Sequence, residues 1–184
     1  MSKVYIFLAE GHEEIEALTV VDLLRRAGID IEMISITGNR QVTGSHGITT
    51  TADKLFEEID CDAAQMLVLP GGMPGTRNLE AHEELMKNID AFAASSDKCI
   101  AAICAAPTVF GHRNLLNGKK ACCYPGMEDQ LLGANVSYDK VSVDGNIITS
   151  RGLGTAIEFA LAIIEKLDSA QKAEQIGKAV VYLQ

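Results

Sequence analysis

Apolar residues along the chain switch repeatedly between two spacings. Lys3 to Ala9 is a nearly unbroken apolar run, as a strand buried on both faces requires. Glu13 to Ala27 has helical spacing, with acids in its first turn, Arg25 and Arg26 in its last, and Gly28 as a stop. Ile29 to Ile36 alternates as a strand, and Gln41 to Thr51 predicts short strands around a turn at Gly44. Gln65 to Leu69 is a buried strand ending in Pro70-Gly71-Gly72. Helices are expected over about Gly75 to Glu80 and His82 to Ser95, then a strand over Cys99 to Ile103 and a helix from Ala105 to about His112. Lys119 to Cys123 reads as a strand, and Val141 to Thr149 as a hairpin around Asp144-Gly145-Asn146. Helices over Gly154 to Leu167 and Ala170 to about Tyr182 complete the chain. Strands alternating with helices imply an α/β fold, a mostly parallel sheet with helices on both faces. Ligands of such sheets bind at the carboxyl ends of the strands, which directs attention to the turns after Ala9, Leu69 and Ile103.

Composition narrows the function classes. The 184 residues are expected to form one domain over 1–184, and 47% apolar with 22% charged residues is globular composition. A net charge of −9 leaves no basic stripe, so nucleic acid is not expected as a partner. No apolar run approaches a membrane span, so no membrane association is expected, and the N-terminal run is too short for a signal peptide. Cysteines stand at 61, 99, 104, 122 and 123: an odd count without CxxC or paired Cys/His spacing. That pattern argues against a disulfide framework and against a metal site, and it points to a reducing, cytoplasmic setting.

The segment from Cys99 to Thr108 carries the strongest local signal. A buried strand stops at Cys104 and a helix starts at once, with Pro107 in its first turn, where a missing N–H does no harm. A cysteine at that turn faces unpaired helix amides, whose partial charge favours thiolate over thiol. The alternative is a cysteine that simply fills the core. Gly71 and Gly72 could bring backbone amides against an anion or oxyanion, or merely form a tight turn. Glu16 lies on a stripe with Val20, Leu23, Leu24 and Ala27, so its carboxylate needs a partner or a raised pKa. Glu13 sits above Ala17, Val20 and Leu24 in the same way, and periodicity does not choose between them. His12 and His46 fall in loops that could face the site, whereas His82 and His112 read as surface or helix-end residues.

Four motifs in this order resemble the DJ-one/ThiJ/PfpI superfamily across nearly the whole chain: Ala9 to Glu16 (AEGHEEIE), Leu69-Pro70-Gly71-Gly72, Ala101 to Pro107 (AAICAAP), and Thr149 to Thr155 (TSRGLGT). The resemblance is to the DJ-one-like branch. It implies a flavodoxin-like three-layer sandwich that forms a homodimer. It also implies that Cys104 is the reactive, oxidation-prone cysteine and that Glu16, rather than Glu13, hydrogen-bonds it. By the same resemblance Gly72 and Ala105 present pocket amides, and Arg26 approaches the neighbouring subunit's pocket. Tyr124 stands where such proteins often carry a pocket histidine, His46 where an arginine is common, and Leu153 where a proline is. Ala105 replaces the histidine that follows the cysteine in the protease-like branch, so peptidase activity is not expected.

Two readings follow from the resemblance. In the first, the protein acts without a cofactor on small reactive aldehydes or glycated groups, as a glyoxalase or deglycase. A low-pKa Cys104 thiolate adds to the carbonyl while Glu16 moves protons. In the second, the protein is a redox sensor or chaperone, and peroxide takes Cys104 to sulfinic acid.

Overall fold

The computed structural model describes residues 2–184. Strand β1 (Lys3–Leu8) leads to helix α1 (Glu14–Ala27), then β2 (Asp30–Ser35), a small hairpin of β3 (Gln41–Thr43) and β4 (Thr49–Thr51), and a short edge strand β5 (Lys54–Leu55). There follow β6 (Met66–Leu69), α2 (Gly75–Glu80), α3 (Glu83–Ala94), β7 (Cys99–Ile103) and α4 (Pro107–His112). The remaining elements are β8 (Lys120–Ala121), β9 (Asn135–Val136), β10 (Val141–Asp144), β11 (Ile147–Ser150), α5 (Ala156–Leu167) and α6 (Ala170–Ala179). The main sheet runs β10-β11-β7-β6-β1-β2-β5, and only the β10–β11 pair is antiparallel. This is the expected α/β sandwich.

Alternation along β1 shows why both faces are covered. Val4, Ile6 and Leu8 belong to an apolar layer with Val20, Leu24, Phe159 and Ile163 from α1 and α5. Tyr5 and Phe7 point to the opposite layer, with Leu85, Ile89 and Phe92 of α3 and Phe110 of α4. Helix α1 begins where the Glu13 side chain caps the Glu16 amide at 2.7 Å, and it ends at Gly28, whose φ of 80° turns the chain out. The C-terminal ends of β1, β6 and β7 then open on the same side of the sheet.

Three elements are shorter than their sequence patterns imply. The strand expected over Lys119 to Cys123 is only Lys120–Ala121. Beyond it the Cys122 amide bonds to the Thr149 hydroxyl at 3.0 Å, and the Tyr124 amide turns to the Cys104 carbonyl at 2.7 Å. Helix α4 starts at Pro107 because Cys104 to Ala106 are spent on a tight turn. Helix α6 stops at Ala179, where Val181 takes a φ of 60° and the Tyr182 and Leu183 amides fold back on the Gly177 carbonyl.

Candidate active site

Cys104 follows the last residue of β7 and carries a φ of 65°. A non-glycine residue in this left-handed region is strained by roughly 1–3 kcal/mol and persists only where its surroundings hold it. Here they do. The Cys104 amide bonds to the Ser150 carbonyl of β11 at 3.0 Å, its carbonyl takes the Tyr124 amide, and Ala106 closes the turn on Ile103 at 3.1 Å. The strain lifts the side chain out of the strand direction, so the sulfur is half-buried rather than sealed in the core.

Glu16, one turn into α1, is buried and lies beside Cys104 against the Gly71 backbone. Its Oε2 also accepts the Gly71 amide at 3.0 Å. Gly71 is required sterically. A Cβ there would stand 2.5 Å from the Cys104 Cβ, 2.6 Å from Glu16 Oε2 and 3.1 Å from the sulfur. The amides of Gly72 and Ala105 face the sulfur and favour its charged form, and the Leu153 amide does the same for Glu16. Glu13 is occupied with capping the helix, which separates the two glutamates that periodicity left equivalent.

Burial pushes the Glu16 carboxyl up to about 7; the nearby Glu13 charge adds to this, while the Cys104 and backbone hydrogen bonds oppose it. The sulfur departs from expectation. Helix amides beside Cys104 imply a thiolate at neutrality, but burial pushes the thiol up to about 12, and the charge and hydrogen bond of Glu16 push the same way. The amides of Ala105 and Gly72 act in the opposite direction without offsetting this. The dipoles foreseen from the sequence are present; desolvation beside an acid outweighs them. The resting pair is therefore a protonated thiol beside a carboxyl group that titrates near neutrality.

The other candidate residues divide. Tyr124 stands at the mouth: its amide holds the Cys104 carbonyl, and its ring carbon lies 3.5 Å from where a Gly152 Cβ would be, a point 3.8 Å from Glu16 Oε1. His46 is brought to the start of α1 rather than to the sulfur, with Nδ1 3.0 Å from Glu14 Oε2 and 3.8 Å from Glu13 Oε1. Glu14 is buried, and burial alone would raise its pKa. The His46 hydrogen bond and the amides of Glu14, His46 and Ile48 more than reverse this, holding it down to about 2. Arg26 lies ten residues beyond Glu16 on α1, roughly 15 Å along the helix axis, and pairs with Asp22 at 2.7 Å. Within one chain it does not reach Cys104. His12 is fully buried, its Nδ1 on the Ala9 carbonyl at 2.9 Å, so it holds the loop before α1 rather than facing the site. Cys122 packs on Thr149 and Cys123 belongs to the opposite apolar layer. The Leu153 backbone is what sequence reasoning missed: Leu153 drew notice only as a departure in side chain, whereas its amide favours the Glu16 carboxylate.

Known proteins resemble this chain in sequence and in fold. Residues 2–166 match the model of the DJ-1/PfpI family. The chain belongs to the DJ-1/PfpI family. It is 40% identical over 179 residues to Protein dj-1beta of Drosophila melanogaster, covering 96% of this chain and 95% of that one. Protein DJ-1 homolog B of Arabidopsis thaliana is 38% identical over 97% of this chain, which spans only 41% of that relative's length. A Pyrococcus abyssi protein named a deglycase is 32% identical over 81% of this chain and 89% of its own. The structure of oxidized Toxoplasma gondii DJ-1 superposes with a TM-score of 0.95 at 36% identity, each chain covered completely. The flavodoxin-like architecture follows from these neighbours and from the sheet order. No described helix is long and apolar enough to cross a membrane.

Proposed function

We propose that the protein converts small 2-oxoaldehydes, and related carbonyl adducts on amines and thiols, through Cys104 and Glu16. The observation that carries this reading is the pair itself, held together across Gly71: a nucleophile beside a buried carboxyl group whose pKa is about 7. A proton carrier is most effective when its pKa lies near the working pH. The name of the Pyrococcus abyssi relative supports the same substrate chemistry.

The steps balance with water alone. The Cys104 sulfur adds to the aldehyde carbon as its proton passes to ionised Glu16, and the Gly72 and Ala105 amides receive the developing oxyanion. Glu16 returns the proton to that oxygen, giving a hemithioacetal. Loss of the C1 proton to Glu16 gives an enediolate; return of that proton to C2, with transfer of the C1 hydroxyl proton to the C2 oxygen, oxidises the first carbon, reduces the second and leaves a thioester. Hydrolysis releases the 2-hydroxy acid and restores the thiol. Formation of lactate from methylglyoxal without glutathione is the assay, and Cys104→Ser is expected to abolish it. Equal rates for both proteins would end this reading. Peroxide treatment separates the rival role: two oxygens gained at Cys104 with no wild-type turnover would favour the sensor.

We also propose a homodimer through the outer face of α1. Leu18, Leu23 and Arg26 share a groove there with Ile157 and the strongly exposed Val181. In that assembly Arg26 approaches the partner's site and the active unit is cytoplasmic. Sedimentation is expected to give twice the chain mass, and Leu18→Asp to give monomers; a wild-type monomer at micromolar concentration would exclude the assembly.

A further inference from the structure

The isomerisation proposed above moves two protons, and Glu16 accounts for only one of them. It takes the C1 proton, and until it delivers that proton to C2 its carboxyl group is already protonated. In the same interval the C1 hydroxyl proton has to reach the C2 oxygen. That transfer calls for a group able to give one proton and take another. Backbone amides such as those of Gly72 and Ala105 only donate. A guanidinium only donates as well, so Arg26 approaching from a second chain would hold an oxygen without relaying its proton. Leu153, the apolar side chain beside Gly152, offers nothing to exchange.

Tyr124 has the group required, since a phenol both donates and accepts. Its backbone amide bonds the Cys104 carbonyl at 2.7 Å, which fixes the residue beside the nucleophile. Its ring edge borders Gly152. A Cβ at Gly152 would stand 3.5 Å from Tyr124 Cδ2 and 3.9 Å from Cε2, and 3.8 Å from Glu16 Oε1. Ring edge and carboxyl oxygen therefore border one small gap, which the lack of a side chain at Gly152 keeps open. Tyr124 is 51% exposed, so its side chain also meets the solvent from which a substrate arrives.

We infer that Tyr124 is a further catalytic residue of the carbonyl conversion, its hydroxyl passing the proton between the two oxygens of the enediolate held on Cys104. The inference rests on the carbonyl reading above and adds a residue to that same site. The phenol gives its proton to the negative C2 oxygen and takes the C1 hydroxyl proton, so it ends as it began. The electron pair left on the C1 oxygen closes the thioester carbonyl while the carbon–carbon double bond takes the Glu16 proton at C2. No co-reactant is consumed.

Two measurements test it. Tyr124→Phe removes the oxygen but keeps the ring and the backbone bond to Cys104. With methylglyoxal in D2O, its kcat is expected to fall by about 10²-fold with little change in KM. Alkylation of Cys104 by iodoacetamide is expected to keep its wild-type rate, because the Cys104–Glu16 pair is intact. Methylglyoxal recovered part-way through the reaction is expected to carry more deuterium at C1 than with the wild type, because a longer-lived enediolate reverts through Glu16. Tyr124→His, whose ring also donates and accepts, is expected to restore most of the rate. Wild-type kcat and wild-type labelling in Tyr124→Phe would overturn the inference and leave the carbonyl reading intact; no lactate from the wild type would end the carbonyl reading itself. The second measurement needs no turnover. Acetohydroxamate carries two oxygens on adjacent atoms, as the enediolate does, and its binding is read as protection of Cys104 from iodoacetamide. Protection of the wild type is expected at about tenfold lower concentration than protection of Tyr124→Phe, the scale of one hydrogen bond. Equal concentrations for the two proteins would overturn the inference whether or not methylglyoxal is turned over.

Discussion

At the scale of single residues, the proposed chemistry rests on how Cys104 and Glu16 share protons. Burial lifts Glu16 to about 7 and the thiol to about 12, so near neutrality the carboxylate is the group able to take a proton from sulfur. The kcat/KM for methylglyoxal is expected to rise as Glu16 ionises near pH 7 and to level off above it, because this profile reports the free enzyme's groups. Glu16→Gln is expected to remove that inflection and lose roughly 10²–10⁴-fold in rate. An unchanged inflection in the variant would assign the titration to another group. Much of this was legible beforehand: a strand that stops at a cysteine followed by Ala-Ala-Pro marks a strained turn, and an acid on an apolar stripe marks a buried carboxyl. The protonation state was not legible, because it depends on the degree of desolvation, which periodicity does not report.

At the scale of elements, the site is a junction of three strand ends, and its tightest contact is made by a residue without a side chain. The loop after β6 passes so close to the Cys104 turn that a methyl group on Gly71 would overlap the Cys104 Cβ at 2.5 Å and Glu16 Oε2 at 2.6 Å. Gly71→Ala must therefore push β6 and β7 apart or displace Glu16. Forced overpacking of this kind typically costs about 1–3 kcal/mol. A lowered melting temperature is expected together with a slower, Glu16-independent alkylation of Cys104. A variant with wild-type stability and wild-type alkylation would show that the loop yields freely. Sequence reasoning marked Gly71-Gly72 as backbone close to a ligand or as a turn; the fold makes it backbone close to the Cys104–Glu16 pair. Short elements were harder to read. Lys119 to Cys123 has strand composition, yet long-range bonds from Cys122 to Thr149 and from Tyr124 to Cys104 end the strand early and carry Tyr124 to the mouth. Local pattern has no access to such bonds.

For the molecule as a whole, the sandwich packs two apolar layers tightly enough to absorb an acid that destabilises it. The class of fold was legible because strand and helix periods alternate cleanly and both faces of β1 are apolar. The position of Arg26 relative to the site was not, because ten residues of helix separate it from Glu16 and its proposed role needs a second chain. The buried acid gives the folded state a distinctive pH dependence. Glu16 binds its proton more tightly when folded, with a pKa of about 7 against an ordinary carboxyl value of 4.5. Its neutral form fits the site, so the folded state suffers no penalty from Glu16 below the unfolded value. Between 4.5 and 7 the folded chain holds more protons than the unfolded one, and stability falls as pH rises through that window. Above pH 7 the carboxylate is buried at a cost on the order of 3 kcal/mol. Glu16→Gln keeps the shape, keeps an oxygen for the Gly71 amide and removes the charge. The variant is expected to match the wild type near pH 5 and to melt several degrees higher at pH 8. Active-site groups that resist burial commonly trade stability for activity in this way. Parallel pH profiles for the two proteins would mean that folding does not raise the pKa of Glu16, and the group titrating near pH 7 in the activity profile would have to be sought elsewhere.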